Sequence, residues 1–139
     1  EIELDFKVLD LYKIVLDIEK YPEYIPWCSS LEIINRKKNE IRAKMAVNYK
    51  FIYSQKFTSC VFFDLKKKII KTKYIDGPLK DLETNWEFID LKKNKTKILF
   101  SLKFEFKKNL HQKIAEIFYP IIEDKMVDSF VERANKLLN

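Results

Sequence analysis

Apolar residues recur along this chain with two periods, and each period marks a different kind of element. Near the front, Leu11, Ile14, Val15 and Ile18 fall at i, i+3, i+4 and i+7, one face of a helix. Asp10 is placed to cap its start by accepting a backbone N–H. Pro22 and Pro26 break the pattern, so Tyr21 to Trp27 reads as a short helical turn or a tight loop. From about Leu31 to Phe106 the period is two. Ile98, Phe100, Leu102, Phe104 and Phe106 alternate with Leu99, Ser101, Lys103 and Glu105. Leu82, Thr84, Trp86 and Phe88 alternate with Glu83, Asn85 and Glu87, and Ile41, Ala43, Met45, Val47 and Tyr49 with Arg42, Lys44, Ala46 and Asn48. Phe57, Ser59, Val61 and Phe63 form another row, and Ile70, Thr72 and Tyr74 a shorter one. Each is a strand with one wet and one buried face. Short polar links, such as Asn39 and Lys92 to Lys95, join them into an antiparallel meander.

Helical spacing returns at Leu110, Ile114, Ile117 and Phe118 and continues through Ile121, Ile122, Met126, Phe130, Ala134 and Leu137. This predicts a helix of roughly eight turns, long for a small domain. Asn109 with Gln112 has the form of a capping box, and Pro120, which has no N–H to give Glu116, predicts a kink. The expected fold is α+β: a helix, a curved antiparallel sheet, then one long helix across the sheet, in a single domain over residues 1–139.

Composition narrows the function classes. The chain holds 2 Trp, 7 Tyr and 11 Phe among 47% hydrophobic residues, enough apolar surface to offset the entropy of ordering. A single glycine, Gly77, cannot build a phosphate-cradling loop. A single histidine, His111, leaves no pair for zinc and one candidate base for a Ser–His or Cys–His arrangement. Cys28 and Cys60 lack CxxC spacing and read as buried thiols of a reducing compartment, with one disulfide as the alternative. No apolar run approaches the ~20 residues that span a bilayer, and Glu1 to Asp5 lacks the order of a signal peptide.

The formal charge of +6 comes from 27 Lys and Arg against 21 Asp and Glu, and only Arg36, Arg42 and Arg133 are arginine. Bidentate reading of phosphates or base edges favours guanidinium, so this is a weak nucleic-acid signature. The runs Lys66-Lys67-Lys68 and Lys92-Lys93 read first as solvated turns and protected strand edges. The other reading is attraction to an anionic surface, lipid headgroups or RNA.

The inward faces of the strands gather Tyr49, Phe57, Phe63, Tyr74, Trp86, Phe88, Phe100, Phe104 and Phe106 opposite Ile121, Ile122, Met126 and Phe130. They form either a filled aromatic core or an apolar ligand pocket in which Ser59, Thr72 and Thr84 orient a head group; periodicity does not separate the two. Candidate catalytic groups are thin. His111 reads as a surface residue in a first helical turn, Asp81 and Glu83 as solvated carboxylates beside Lys80, and Glu132 and Lys136 as a helix-surface pair. Asp76-Gly77-Pro78 reads as a turn with Gly77 at positive φ.

Asp17-Ile18-Glu19-Lys20-Tyr21-Pro22-Glu23-Tyr24-Ile25-Pro26-Trp27-Cys28 resembles the D-x-E-x-Y-P-x-F-L-P-W-C segment of the coenzyme Q-binding START-like family, within the polyketide cyclase/dehydrase-like helix-grip superfamily. That family also includes bacterial ribosome-association toxins. Phe57-Thr58-Ser59, the run from Asp76-Gly77-Pro78 to Trp86 and Phe88, and Met126-Val127 with Phe130, Arg133 and Ala134 resemble its later signatures, in order over most of the chain. Tyr24 and Ile25 stand where Phe and Leu are usual.

The resemblance implies a helix-grip fold and a non-catalytic lipid carrier, with no required cofactor and with ubiquinone, or a similar polyprenyl lipid, as the bound ligand in support of respiratory electron transport. A carrier must offer apolar contact, and the aromatic faces set the expected place of the ligand tail between sheet and C-terminal helix, against Trp86, Phe88, Phe104, Ile122, Met126 and Phe130, with Tyr49 and Phe57 as further wall residues. Trp27 and Tyr24 are then a gate or membrane contact, Trp27 equally a buried plug. The alternative it implies is a ribosome-associated inhibitor of translation on the large subunit. The expected location is the bacterial cytoplasm, with transient contact at the inner membrane.

Overall fold

The computed structural model describes residues 1–49, 53–106 and 109–139, and of these the side chains of Tyr49, 53–54, 106 and 109–119 lie outside the description. The chain runs β1 (Ile2–Leu4), α1 (Val8–Leu16), a 3₁₀ turn (Ile18–Glu23), β2 (Cys28–Lys37), β3 (Glu40–Tyr49), β4 (Tyr53–Asp64), β5 (Ile69–Asp76), β6 (Leu79–Asp90), β7 (Thr96–Phe106) and α2 (Asn109–Leu138). All strands join one curved, seven-stranded antiparallel sheet in the order β1-β7-β6-β5-β4-β3-β2.

The alternation of side chains decides the faces. Ile41, Ala43, Val61, Ile70, Trp86, Phe88, Ile98 and Leu102 are buried on the inner face, while Arg42, Lys44, Glu87 and Lys103 are exposed on the outer one. Registered rows cross the inner face, such as Ile70–Trp86–Phe100 and Val61–Thr72–Thr84–Leu102. The C-terminal half of α2 lies on β7 and α1 and brings Phe130 and Ala134 into the core.

Three local expectations are corrected. First, α1 begins at Val8, one turn ahead of the expected cap: the N-cap position is Lys7, without a side-chain cap, and Asp10 lies in the first turn. There its carboxylate favours the positive end of the helix dipole instead. Second, β1 was not visible in the pattern, because three residues are too few to show a period. It pairs Ile2 with Ile98 and Leu4 with Thr96, and the Thr96 hydroxyl, fully buried, donates to the Phe6 carbonyl at 2.8 Å. Third, β2 starts at Cys28 rather than near Leu31. Ile18 keeps its expected burial although α1 ends at Leu16, because the 3₁₀ turn carries the face onward. The expected capping box and His111 fall on side chains outside the described residues.

β2 is an edge strand, and its pairing with β3 shifts register at Ser29 and again at Ile34. At the Asp76–Pro78 turn, Gly77 holds φ +145°, and a Cβ there would sit 2.7 Å from Phe57 Cβ. Glycine is therefore required twice, by conformation and by space. The lysine runs fall on hairpin turns, as the sequence indicates. Cys28 and Cys60 are free, buried thiols.

Candidate functional site

The inner face of the sheet divides along the strands. Toward the β6–β7 turn it is filled by rings. Trp86 packs on Phe100 at 4.3 Å and takes Phe130 edge-on at 4.7 Å, while Tyr12 meets Phe88 edge-on at 5.6 Å. Trp86, Phe88 and Phe130 are all buried. Behind them, Leu11, Val15, Ile98, Val127 and Ala134 help to enclose an apolar cavity of about 20 Å³. Ligand pockets measure roughly 300–1,000 Å³, so this cavity alone is far too small to hold a lipid.

Away from that end the same face is only half-buried. Met45, Val47, Tyr74, Leu82 and Phe104 are partly exposed there on the sheet, and Ile122 and Met126 of α2, also partly exposed, pack against the core cluster. Ile122, Met126 and Phe130 recur every four residues, so they share one stripe of α2 that packs toward the core. Between the two zones lie three hydroxyls. Thr72 is directly opposite Thr84, Ser59 is one row on, and Ser59 and Thr84 are buried. A polar midline on an apolar face can orient one head group while the band takes a tail.

The expected site residues therefore separate. Phe104 lies in the half-buried band; Trp86, Phe88 and Phe130 are buried in the core, and Ile122 and Met126 pack against it, partly exposed. Phe57 is buried beneath Gly77 and beside Tyr74, whose hydroxyl accepts the Leu79 N–H at 3.0 Å. The Tyr49 side chain lies outside the described residues. Trp27 is 7% exposed, which gives it no surface for a membrane in this conformation.

Tyr24 belongs to a clamp that sequence reasoning missed. Tyr21 and Tyr24 both stand edge-on to Phe130, at 5.4 and 5.3 Å. Arg133 lies 4.9 Å over the Tyr24 ring and 3.6 Å from the Glu23 carboxylate, and Tyr21 donates to the Val15 carbonyl. Two i, i+3 pairs, Tyr21 with Tyr24 and Phe130 with Arg133, carry the signal: each places two side chains on one helical face. Burial raises both phenols well above their ordinary value, so they stay neutral.

Asp81 is exposed, and Glu83 sits on the outer face between Lys73 and Lys103 in register. Among the described residues no group of three His, Cys, Asp or Glu is placed to hold a metal. Burial pushes the Cys28 thiol from 9.0 up to about 11, and it raises Cys60 as well. A folded thiol pKa above the unfolded one stabilises the fold below the unfolded value, and that contribution is lost as pH climbs through the folded value. Stability is thus expected to fall between pH 9.0 and about 11, less so in Cys28→Ala, as guanidinium titrations at several pH values would show.

Residues 4–131 match the family model described as polyketide cyclase / dehydrase and lipid transport. The chain is 28% identical over 138 residues to the ribosome association toxin RatA of Rickettsia prowazekii, covering 97% of this chain and 93% of that protein. It is 27% identical over 138 residues to the mitochondrial coenzyme Q-binding protein COQ10 homolog B of Xenopus laevis, covering 96% of this chain and 56%, about half, of that longer protein. A START superfamily protein from Mycobacterium smegmatis shares the fold with a TM-score of 0.83 at 18% identity, over 98% of this chain and 94% of that one. Signatures, helix-grip architecture and family match agree: the chain belongs to the polyketide cyclase / dehydrase and lipid transport family, with a START-like fold.

Proposed function

We propose that this protein is a non-catalytic carrier of a hydrophobic lipid, with ubiquinone as the first candidate, delivered in support of respiratory electron transport. The observation that carries this reading is the half-buried apolar band of Tyr74, Leu82 and Phe104 on the sheet, set beside the hydroxyl midline of Ser59, Thr72 and Thr84. The similarity to a coenzyme Q-binding protein supports the same ligand class. Each CH₂ of a polyprenyl tail taken from water is worth about 0.8 kcal/mol, so a carrier must offer comparable apolar contact. Mass spectrometry of an organic extract of the purified protein, followed by titration with a short-chain quinone, tests the proposal. A quinone held at one per chain and retained at high salt is the expected result. An empty extract from folded protein that also takes up no added quinone would sink it.

The second reading is a ribosome-associated inhibitor of translation, favoured by the similarity to RatA and by the charge of +6. It requires co-sedimentation with the large ribosomal subunit that weakens steeply as salt rises.

A further inference from the structure

Three hairpin turns, β2–β3, β4–β5 and β6–β7, share one end of the sheet, because consecutive strands alternate in direction. The stretches 36–40, 64–68 and 90–95 each carry three Lys or Arg and one carboxylate. Together they hold a formal charge equal to the chain's entire +6, and the remaining residues balance. Two of the turns repeat one motif: Asp64-Leu65-Lys66-Lys67 and Asp90-Leu91-Lys92-Lys93. In each, the Asp carboxylate is the turn former, accepting the Lys67 N–H at 3.1 Å or the Lys92 N–H at 2.8 Å. Leu65 is 55% exposed and Leu91 39%, and Lys66, Lys67, Lys92 and Lys93 are exposed beside them. Lys68 Nζ donates back to the Leu65 carbonyl, and Lys92 Nζ lies 3.9 Å from the Asp90 carboxylate.

The backbone of these turns is also unusual. Among the described residues, every non-glycine at positive φ lies here: Lys68 at 56°, Lys92 at 73°, Lys93 at 54° and Asn94 at 60°. Left-handed positions favour glycine or asparagine, yet lysine occupies three of them. The Phe88 N–H donates to the Lys68 carbonyl at 3.0 Å, which fixes the β4–β5 turn beside β6.

We propose that this end of the sheet docks on an anionic lipid surface. Lysine ammoniums meet the headgroups as point charges, and the two leucine tips enter the boundary between headgroups and acyl chains. The leucines decide between lipid and RNA. An exposed apolar tip inside a cationic turn gains nothing from a phosphate backbone and gains burial in a bilayer. The half-buried band lies toward the opposite end of the strands, so docking here tethers the protein and does not depend on the carrier reading above.

The experiment is co-sedimentation of the purified, quinone-free protein with vesicles of phosphatidylcholine mixed with phosphatidylglycerol, against pure phosphatidylcholine, with polyuridylic acid as the RNA probe. Wild type is expected to bind the mixed vesicles and not the neutral ones. Leu65→Ser with Leu91→Ser should weaken that binding about tenfold or more. Lys66→Gln, Lys67→Gln, Lys92→Gln and Lys93→Gln together should weaken it by about a thousandfold, at about 1 kcal/mol per lysine. All these side chains sit on turns, and unchanged thermal unfolding would show that the variants fold. No preference for anionic vesicles overturns the proposal. So does a leucine variant that binds them like wild type, or RNA binding as tight as vesicle binding and lost only with the lysines.

Discussion

Trp86→Ala is expected to lower the free energy of unfolding by about 3–5 kcal/mol, the range for truncating a large buried aromatic. The indole is 4% exposed and joins β6 to two partners at once, Phe100 on β7 and Phe130 on α2. It also lines the small apolar cavity, so its removal enlarges a void already present. Collapse into that void is resisted by the sheet on one side and α2 on the other. Equilibrium unfolding in guanidinium measures the loss directly. A drop under about 1 kcal/mol would mean that α2 does not rest on this ring, since even one buried methylene is worth that much.

Phe104→Ala is the opposite case, a large effect on ligand and a small one on the fold. Phe104 is half-buried in the band away from the ring cluster, directly opposite Leu82 in the register of β6 and β7. Truncating a ring that a lipid tail covers is expected to weaken quinone retention about tenfold, or ~1.4 kcal/mol. Unfolding stability should drop by less than half as much as in Trp86→Ala. Quinone titration and guanidinium unfolding on the same preparation read both quantities. Retention equal to wild type in a folded Phe104→Ala protein would move the tail elsewhere on the inner face.

These two residues also show what a sequence reveals and what it hides. Trp86 and Phe104 have the same alternation on adjacent strands, and the pattern alone gives them the same role. Their difference comes from tertiary partners, Phe100 and Phe130 closing over Trp86, which leave no local signature. The alternation itself was legible from β3 to β7, because a one-residue slip would turn every apolar side chain outward. Tyr12 was missed: at 1% exposure it is as deep as any α1 residue, but its place beside Leu11 widens the buried stripe beyond the i, i+3, i+4 template. The Tyr24–Arg133 contact joins residues over a hundred positions apart, and only the folded register of α2 against the 3₁₀ turn brings them together.

The register shifts in β2 have a consequence for assembly. An outer strand normally presents a row of unpaired amides and carbonyls on which another chain can grow. Here the row is interrupted at Ser29 and Ile34, and Glu32, Arg36 and Lys37 break its surface with mixed charge. A strand arriving from a second copy meets no continuous ladder longer than a few residues, too little to hold it. The sheet carries its own terminator, and a chain rich in aromatics is kept from templating fibrils along this margin.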